Sequence, residues 1–161
     1  MSPSGDRLRR IAQRAENEGG KAAAEAMADA AASEMRTLLG LRSHPPRTST
    51  PAPLNNPPAK ISGRLQRSIF AGGAIRVGAG RWSAAAGSQG LIYARVQEKG
   101  MTIHRRNAPW LTWISDGRRL FAPQVTIPAR SFVARGAEWA RDAGRTEQAS
   151  AEAFRRAVHG G

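Results

Sequence analysis

Apolar residues recur at the spacing of a helix in the first forty residues of the chain. The pattern begins after Asp6, a plausible N-cap, and continues past the glycine pair 19–20. Its apolar face is formed by Leu8, Ile11, Ala12, Ala15, Met27, Ala31, Met35 and Leu38. We therefore predict a long N-terminal helical region over 6–39, closed by Gly40 as a C′ cap.

The segment that follows breaks this pattern, and a second helical pattern appears at the other end of the chain. Residues 43–58 include prolines 45, 46, 51, 53, 57 and 58, which exclude a regular helix or a central strand. We interpret this segment as a Pro-rich linker. Apolar residues over about 133–158 predict a C-terminal helix that is interrupted near Gly144.

The centre of the chain, residues 60–135, alternates short helical and extended patterns. The predicted elements are a short helix capped by Ser62, a strand at 74–77, a flexible loop at 78–90, a helical turn at 92–100, and three extended segments at 101–105, 110–115 and 118–127. Asp116-Gly117 is a typical two-residue hairpin turn. We predict an α+β fold in one domain, 1–161, with a small antiparallel sheet packed with the long N-terminal helix and the C-terminal helix.

Charge is concentrated in this centre. The chain carries a formal net charge of +13, and within 60–135 the only acidic residues are Glu98 and Asp116. Such a block is typical either of a solvated face or of a surface that binds an anionic partner. Four arginines, Arg105, Arg106, Arg118 and Arg119, are candidates for contact with DNA or an acidic partner. Trp110 and Trp113 beside them either stack on nucleic acid or form core or subunit contacts.

Candidate chemistry is sparse. Cysteine is absent, and the three histidines, His44, His104 and His159, lack the spacing of metal ligands. The glycines of 78–90 lack the Lys-Ser/Thr pair of a phosphate-binding loop. We expect no catalytic residue, cofactor or metal, hence no enzyme. The N-terminal sequence resembles neither a signal peptide nor a membrane span, so we expect synthesis in the cytoplasm and no membrane partner.

Three motifs, in this order and with these gaps, carry a resemblance to a known family. They are SGRLQRSIF with Gly63, Leu65, Ser68 and Ile69; IYARVQEKG with Tyr93, Ala94 and Gly100; and FAPQVTIPARSFV with Ile127, Pro128, Ala129, Arg130 and Phe132. Together they resemble the phage virion morphogenesis family, the tail-completion or head-to-tail joining proteins of tailed bacteriophages. The likeness covers roughly residues 57–135. One departure is Ser131, which stands where the family usually has proline.

The resemblance implies a non-enzymatic neck protein that forms a ring, commonly of six copies, between the portal or connector and the tail tube. Such a protein assembles in the host cytoplasm and then resides in the virion. The family-motif core would comprise Gly63, Leu65, Ile69, Tyr93, Gly100 and Ile127. The candidates for ring contacts are Met27, Met35, Pro128, Arg130 and Phe132. The alternative for residues 128–132 is a buried turn that only positions the last helix. A sequence-independent nucleic-acid-binding protein that uses the basic centre is the alternative function.

Overall fold

The computed structural model describes residues 3–43, 45 and 56–159. The chain divides into two compact units, each assembled from separate segments. The first contains Met1–Glu34, Phe70–Gly87 and Gly136–Gly161, and the second contains Met35–Ile69 and Ser88–Arg135. The predicted α+β class is confirmed. The organisation in one domain stays a prediction.

Helices and short strands alternate along the chain. In order, they are α1 Pro3–Arg14, a π-helical turn Ala15–Gly19, α2 Gly20–Gly40, α3 Arg64–Arg67, β1 Ile69–Ala71, β2 Ile75–Gly78, β3 Arg81–Ser83, β4 Ala86–Ser88, α4 Ile92–Lys99, β5 Met101–His104, β6 Leu111–Ser115, β7 Arg118–Ala122, β8 Gln124–Ile127, α5 Val133–Asp142 and α6 Arg145–His159. Within the described part of the chain, the strands form four two-stranded sheets: β1–β4, β2–β3, β5–β8 and β6–β7. The expected single small sheet is thus a set of separate strand pairs.

The N-terminal helical region exists, but both predicted caps are wrong. The first helix already begins at Pro3, which places Asp6 inside the helix. Gly40 is the last residue of α2 and does not adopt the left-handed conformation of a C′ glycine. The glycine pair 19–20 does not break the helix either. It coincides with the π-helical turn, where the chain continues into α2 with helical dihedral angles.

In the first unit, this π-helical turn anchors the β2–β3 hairpin. The Glu16 carboxylate accepts hydrogen bonds from Arg76 Nη2 at 2.8 Å and from the backbone N–H of Gly80 at 3.1 Å. The indole Nε1 of Trp82 donates to the backbone oxygen of Glu16 at 2.9 Å. A flexible loop over 78–90 was therefore a wrong prediction, since β3 and β4 lie within it. The sequence pattern did not predict these strands because alanine and glycine, which are frequent in this segment, have a low β-propensity.

The second unit buries the larger side chains. Phe132 and Met35 are 0% and 1% exposed, and Leu38, Leu39 and Ile69 are also buried. Burial removes Met35 and Phe132 as candidates for ring contacts, because a buried side chain has no surface to offer a neighbour. In the first unit, the buried hydrophobic residues are alanines: Ala28, Ala32, Ala140 and Ala153.

Two further boundaries differ from the sequence expectation. The helix of the first motif is only four residues long, and Ile69 lies on strand β1 instead of on the helix. The C-terminal helix is broken as predicted, with α5 ending at Asp142 and α6 starting after Gly144, whose φ is +66°. The linker 43–58 lies largely outside the described residues, and so does His44.

Candidate interaction site

Four strands of the second unit form one long antiparallel ribbon, residues 101–127, which we call the ribbon. β5 pairs with β8 from Met101↔Ile127 to His104↔Gln124, and β6 pairs with β7 from Leu111↔Ala122 to Ser115↔Arg118. A bond of 3.1 Å from the Arg105 N–H to the Pro123 oxygen joins the two halves. The predicted hairpin turn is confirmed, since Asp116 and Gly117 have φ of 51° and 73°, the signs that a type I′ turn requires.

The ribbon is exposed on both faces. Every residue from 101 to 110 is exposed, and so are most residues of β6 and β7. Among the described residues, each strand of the ribbon packs extensively only against its own partner strand. Seven large hydrophobic residues are therefore 38–59% exposed: Met101, Ile103, Trp110, Trp113, Ile114, Leu120 and Phe121. An isolated two-stranded hairpin is marginal in water, so packing against a further element or chain would stabilise the ribbon.

The apolar surface of the ribbon is divided between its two faces. Seven side chains of this size and exposure present roughly 700 Å². Each partner in a standard interface buries about 800 Å², so a comparable area is buried only when both faces of the ribbon are covered. In the β6–β7 half, apolar residues lie on both faces: Trp113 and Leu120 form a cross-strand pair on one, and Ile114 and Phe121 lie on the other.

The four arginines of the basic centre lie on this ribbon as two pairs instead of one cluster. Arg118 and Arg119 start β7 beside the turn, and Arg105 and Arg106 follow β5 in the segment that joins the two halves of the ribbon. Only residues 120–122 of β7 lie between Arg119 and Pro123, the partner of Arg105, so the pairs are about 14 Å apart along the extended strand. In the described part of the chain, none of the four forms an ion pair with a carboxylate, and Arg105 Nη1 donates to the Pro109 oxygen at 2.9 Å.

The base of the ribbon is fixed by Glu98, at the end of α4. Its carboxylate accepts four hydrogen bonds from the start of α5: from Ser131 Oγ at 2.6 Å and from the backbone N–H groups of Phe132 at 2.8 Å, Val133 at 3.0 Å and Ala134 at 3.2 Å. A carboxylate at this place satisfies N–H groups that have no partner within the helix. Ser131, which stands where the family usually has proline, is thus one of the residues that donate a hydrogen bond to the Glu98 carboxylate.

Two opposing effects act on the Glu98 carboxyl. Burial is the largest single influence and raises its pKa, because a low-dielectric surrounding disfavours the charge. The hydrogen bonds from Ser131 and from the backbone of Val133, Phe132 and Ala134 favour the charged form, and together they hold the pKa below its ordinary value of 4.5. Glu98 is therefore a charged, structural carboxylate at neutral pH.

The second and third family motifs meet at this point. The backbone N–H of Arg130 donates a hydrogen bond of 2.6 Å to the backbone carbonyl oxygen of Gln97. Gly100 has a φ of +71°, and a Cβ there would lie 2.9 Å from the Ala129 nitrogen and 3.0 Å from the Ile127 oxygen. Both ends of the ribbon are thus tied to the same small region. For Pro128 and Arg130, these contacts favour the alternative in which residues 128–132 position the last helix.

The first and second motifs meet at an open cavity of about 350 Å³ in the second unit. Gly63, Leu65 and Tyr93 are among its lining residues. Tyr93 is 40% exposed, so its assignment to the core was wrong: its ring forms part of the cavity wall. Gln97 also lines the cavity, and its side-chain Oε1 is buried without a hydrogen-bond partner among the described residues.

Glu98 and Gln97 were not among the residues that the sequence selected. Glu98 caps α5, which begins 35 residues later in the chain. Local sequence patterns do not indicate a cap that is so distant in sequence. Of the other candidates, Ile69 is buried, Ile127 is half-buried, and Met27 on α2 is 45% exposed. Only Met27 of the two methionines therefore remains available for a contact between subunits.

A scan against protein-family models finds no match, and searches of curated proteins and of solved structures find no significant match. The resemblance to the phage virion morphogenesis family therefore stays a prediction carried by the motif residues. In the described ranges, no group of three or more His, Cys, Asp or Glu residues is arranged to hold a metal ion. Of the helices described, none is both long and apolar enough to cross a membrane.

Proposed function

We propose that this protein is a structural subunit of a tailed-phage virion that joins head and tail, as a tail-completion or head-to-tail joining protein. In this proposal, copies of the chain form a ring, six by the family resemblance, between the portal or connector and the tail tube. The observation that carries the proposal is the ribbon, whose apolar side chains are uncovered on both faces while its base is held firmly by Glu98. The proposal assigns no catalytic residue, cofactor or metal.

A ring requires two different surfaces on each subunit that meet around an axis. The ribbon supplies one such surface. A second is the rim of the cavity, where Ile61 and Tyr93 are 52% and 40% exposed. Contact between the ribbon of one copy and the rim of the next is heterologous, and such contacts close into a ring when the rotation between copies permits. The resemblance and the exposed surfaces thus support the same type of assembly.

The test compares two double variants of matched chemistry. I114S/F121S makes one face of the ribbon polar, and I75S/V77S makes the same kind of change on the β2–β3 hairpin, where Ile75 and Val77 are 66% and 52% exposed. Native mass spectrometry and electron microscopy measure ring formation, and circular dichroism checks the fold. We expect folded protein from both variants and loss of rings only from I114S/F121S. Intact rings from I114S/F121S would contradict the proposed role of the ribbon.

A further inference from the structure

The charge on the ribbon is not balanced by the chain itself. Between residues 101 and 127, four arginines stand against Asp116 as the only carboxylate. Elsewhere in the described chain, Arg14, Arg76, Arg141 and Arg145 form ion pairs with carboxylates, whereas others, such as Arg9 and Arg10 on α1, form none. Because the ribbon arginines have no carboxylate partner among the residues that the structure describes, their full charge faces solvent and is available to an anionic ligand.

The arrangement of these arginines matches an extended polyanion better than a small anion. The two pairs lie about 14 Å apart along the strand, too far for one phosphate or carboxylate to reach both. Duplex DNA carries one negative charge per about 1.7 Å of helix axis, so it presents phosphates to both pairs at once. A two-stranded ribbon also fits the major groove of B-DNA, which is about 12 Å wide.

We infer that the ribbon binds the phosphate backbone of duplex DNA through its two arginine pairs. Arg118 and Arg119 lie on opposite faces of the ribbon, so that within a groove they reach the backbones on its two sides. The apolar residues between the pairs, Trp113 and Leu120 among them, remain available to a protein neighbour or to the groove wall. The binding is independent of sequence, since guanidinium groups on phosphates read no base. This inference does not depend on the proposed ring.

The experiment measures fluorescence anisotropy of a short labelled duplex of mixed sequence, titrated with the full chain between about 50 and 200 mM salt. Four phosphate contacts predict a slope of log affinity against log salt near −3.6, at about −0.9 for each contact. R118A/R119A and R105A/R106A are each expected to reduce the slope by about 2. R118K/R119K keeps the charges and is expected to retain the wild-type slope. Circular dichroism and thermal unfolding establish that each variant is folded.

The matched control is R9A/R10A, which removes two exposed arginines from α1 and is expected to leave the slope unchanged. The inference is overturned if the duplex does not bind at the lowest salt, or if R9A/R10A weakens binding as much as the ribbon variants do. It is also overturned if a single strand of the same length binds more tightly than the duplex, which would indicate base stacking. Displacement of the duplex by polyglutamate at equal charge would instead indicate an acidic protein partner. Loss of DNA binding in a protein that still forms rings would leave the proposed function standing.

Discussion

The Glu98 carboxylate accepts a hydrogen bond of 2.8 Å from the backbone N–H of Phe132, a residue whose side chain is completely buried. Glu98 precedes the ribbon and Phe132 follows it, so this bond closes the base of a projection of 27 residues, 101–127. The exposed part of the chain is thereby tied to the most buried side chain of its unit. A rigid base limits the entropy that the ribbon loses when a partner binds.

Replacement of Glu98 tests this tie. E98A removes the acceptor of four hydrogen bonds and leaves backbone N–H groups at the start of α5 without a partner. We expect the free energy of unfolding to fall by about 2–3 kcal/mol. Urea denaturation measures it. The control is E18A, which removes a partner of an exposed ion pair on the N-terminal helical region and is expected to cost at most about 0.5 kcal/mol. Equal losses from the two variants would contradict the structural role of Glu98.

The lowered pKa of Glu98 makes part of the stability depend on pH. In the range between the folded pKa and the ordinary value of 4.5, the unfolded chain binds the proton and the folded chain does not. The contribution of Glu98 is therefore fully present above pH 4.5 and is lost as the pH falls through the folded pKa. Urea denaturation between neutral and acidic pH is expected to show a smaller decrease in stability for E98Q than for the wild-type chain. Parallel curves for the two proteins would exclude this linkage.

Gly100 is predicted to resist substitution for two separable reasons. Its φ of +71° disfavours any L side chain, and a Cβ would lie 2.9 Å from the Ala129 nitrogen. Gly117 has a similar φ of +73° but no heavy atom within 4 Å of the Cβ position. G117A is therefore expected to cost about 1 kcal/mol from the dihedral alone, and G100A about 3 kcal/mol or more. Thermal unfolding of the two variants measures the difference; equal melting temperatures would mean that the close approach at Gly100 has no energetic weight.

Trp82 is expected to hold the β2–β3 hairpin on the π-helical turn. W82F removes the hydrogen bond from the indole to the Glu16 oxygen and keeps most of the apolar contact, so it should cost about 1 kcal/mol. Hydrogen exchange should then accelerate over residues 75–83. W139F on α5, where Trp139 is 49% exposed, is the control and should leave exchange over 75–83 unchanged. Unchanged exchange in W82F would place the anchoring elsewhere, for example on the Glu16 to Arg76 pair.

Sequence patterns located most elements because strong local signals specify them. The break at Gly144, the turn at Asp116-Gly117 and the helix of the second motif each follow from residues within a few positions. The strands at 81–83 and 86–88 escaped detection because their stability comes from contacts such as that of Trp82 with the π-helical turn. Burial of Met35 and exposure of Met27 likewise depend on tertiary packing, since both lie on the same predicted helix face.

The candidate site was predictable in composition but not in arrangement. The sequence identified the four arginines and two tryptophans of the centre, and their placement on one exposed ribbon follows only from the pairing of β5 with β8 and β6 with β7. The seven exposed hydrophobic residues alternate poorly with polar ones, so an ordinary strand pattern would place them in a core. Their exposure is the feature that points to an assembly partner.

The central claim is that copies of this chain assemble into a ring. It is tested most directly by electron microscopy of the purified full chain over a concentration series, with end-on particles classified by symmetry and native mass spectrometry counting the copies. The account predicts closed rings of one defined copy number, six by the family resemblance. Single subunits at every concentration, or two-fold dimers that grow no further, would contradict it.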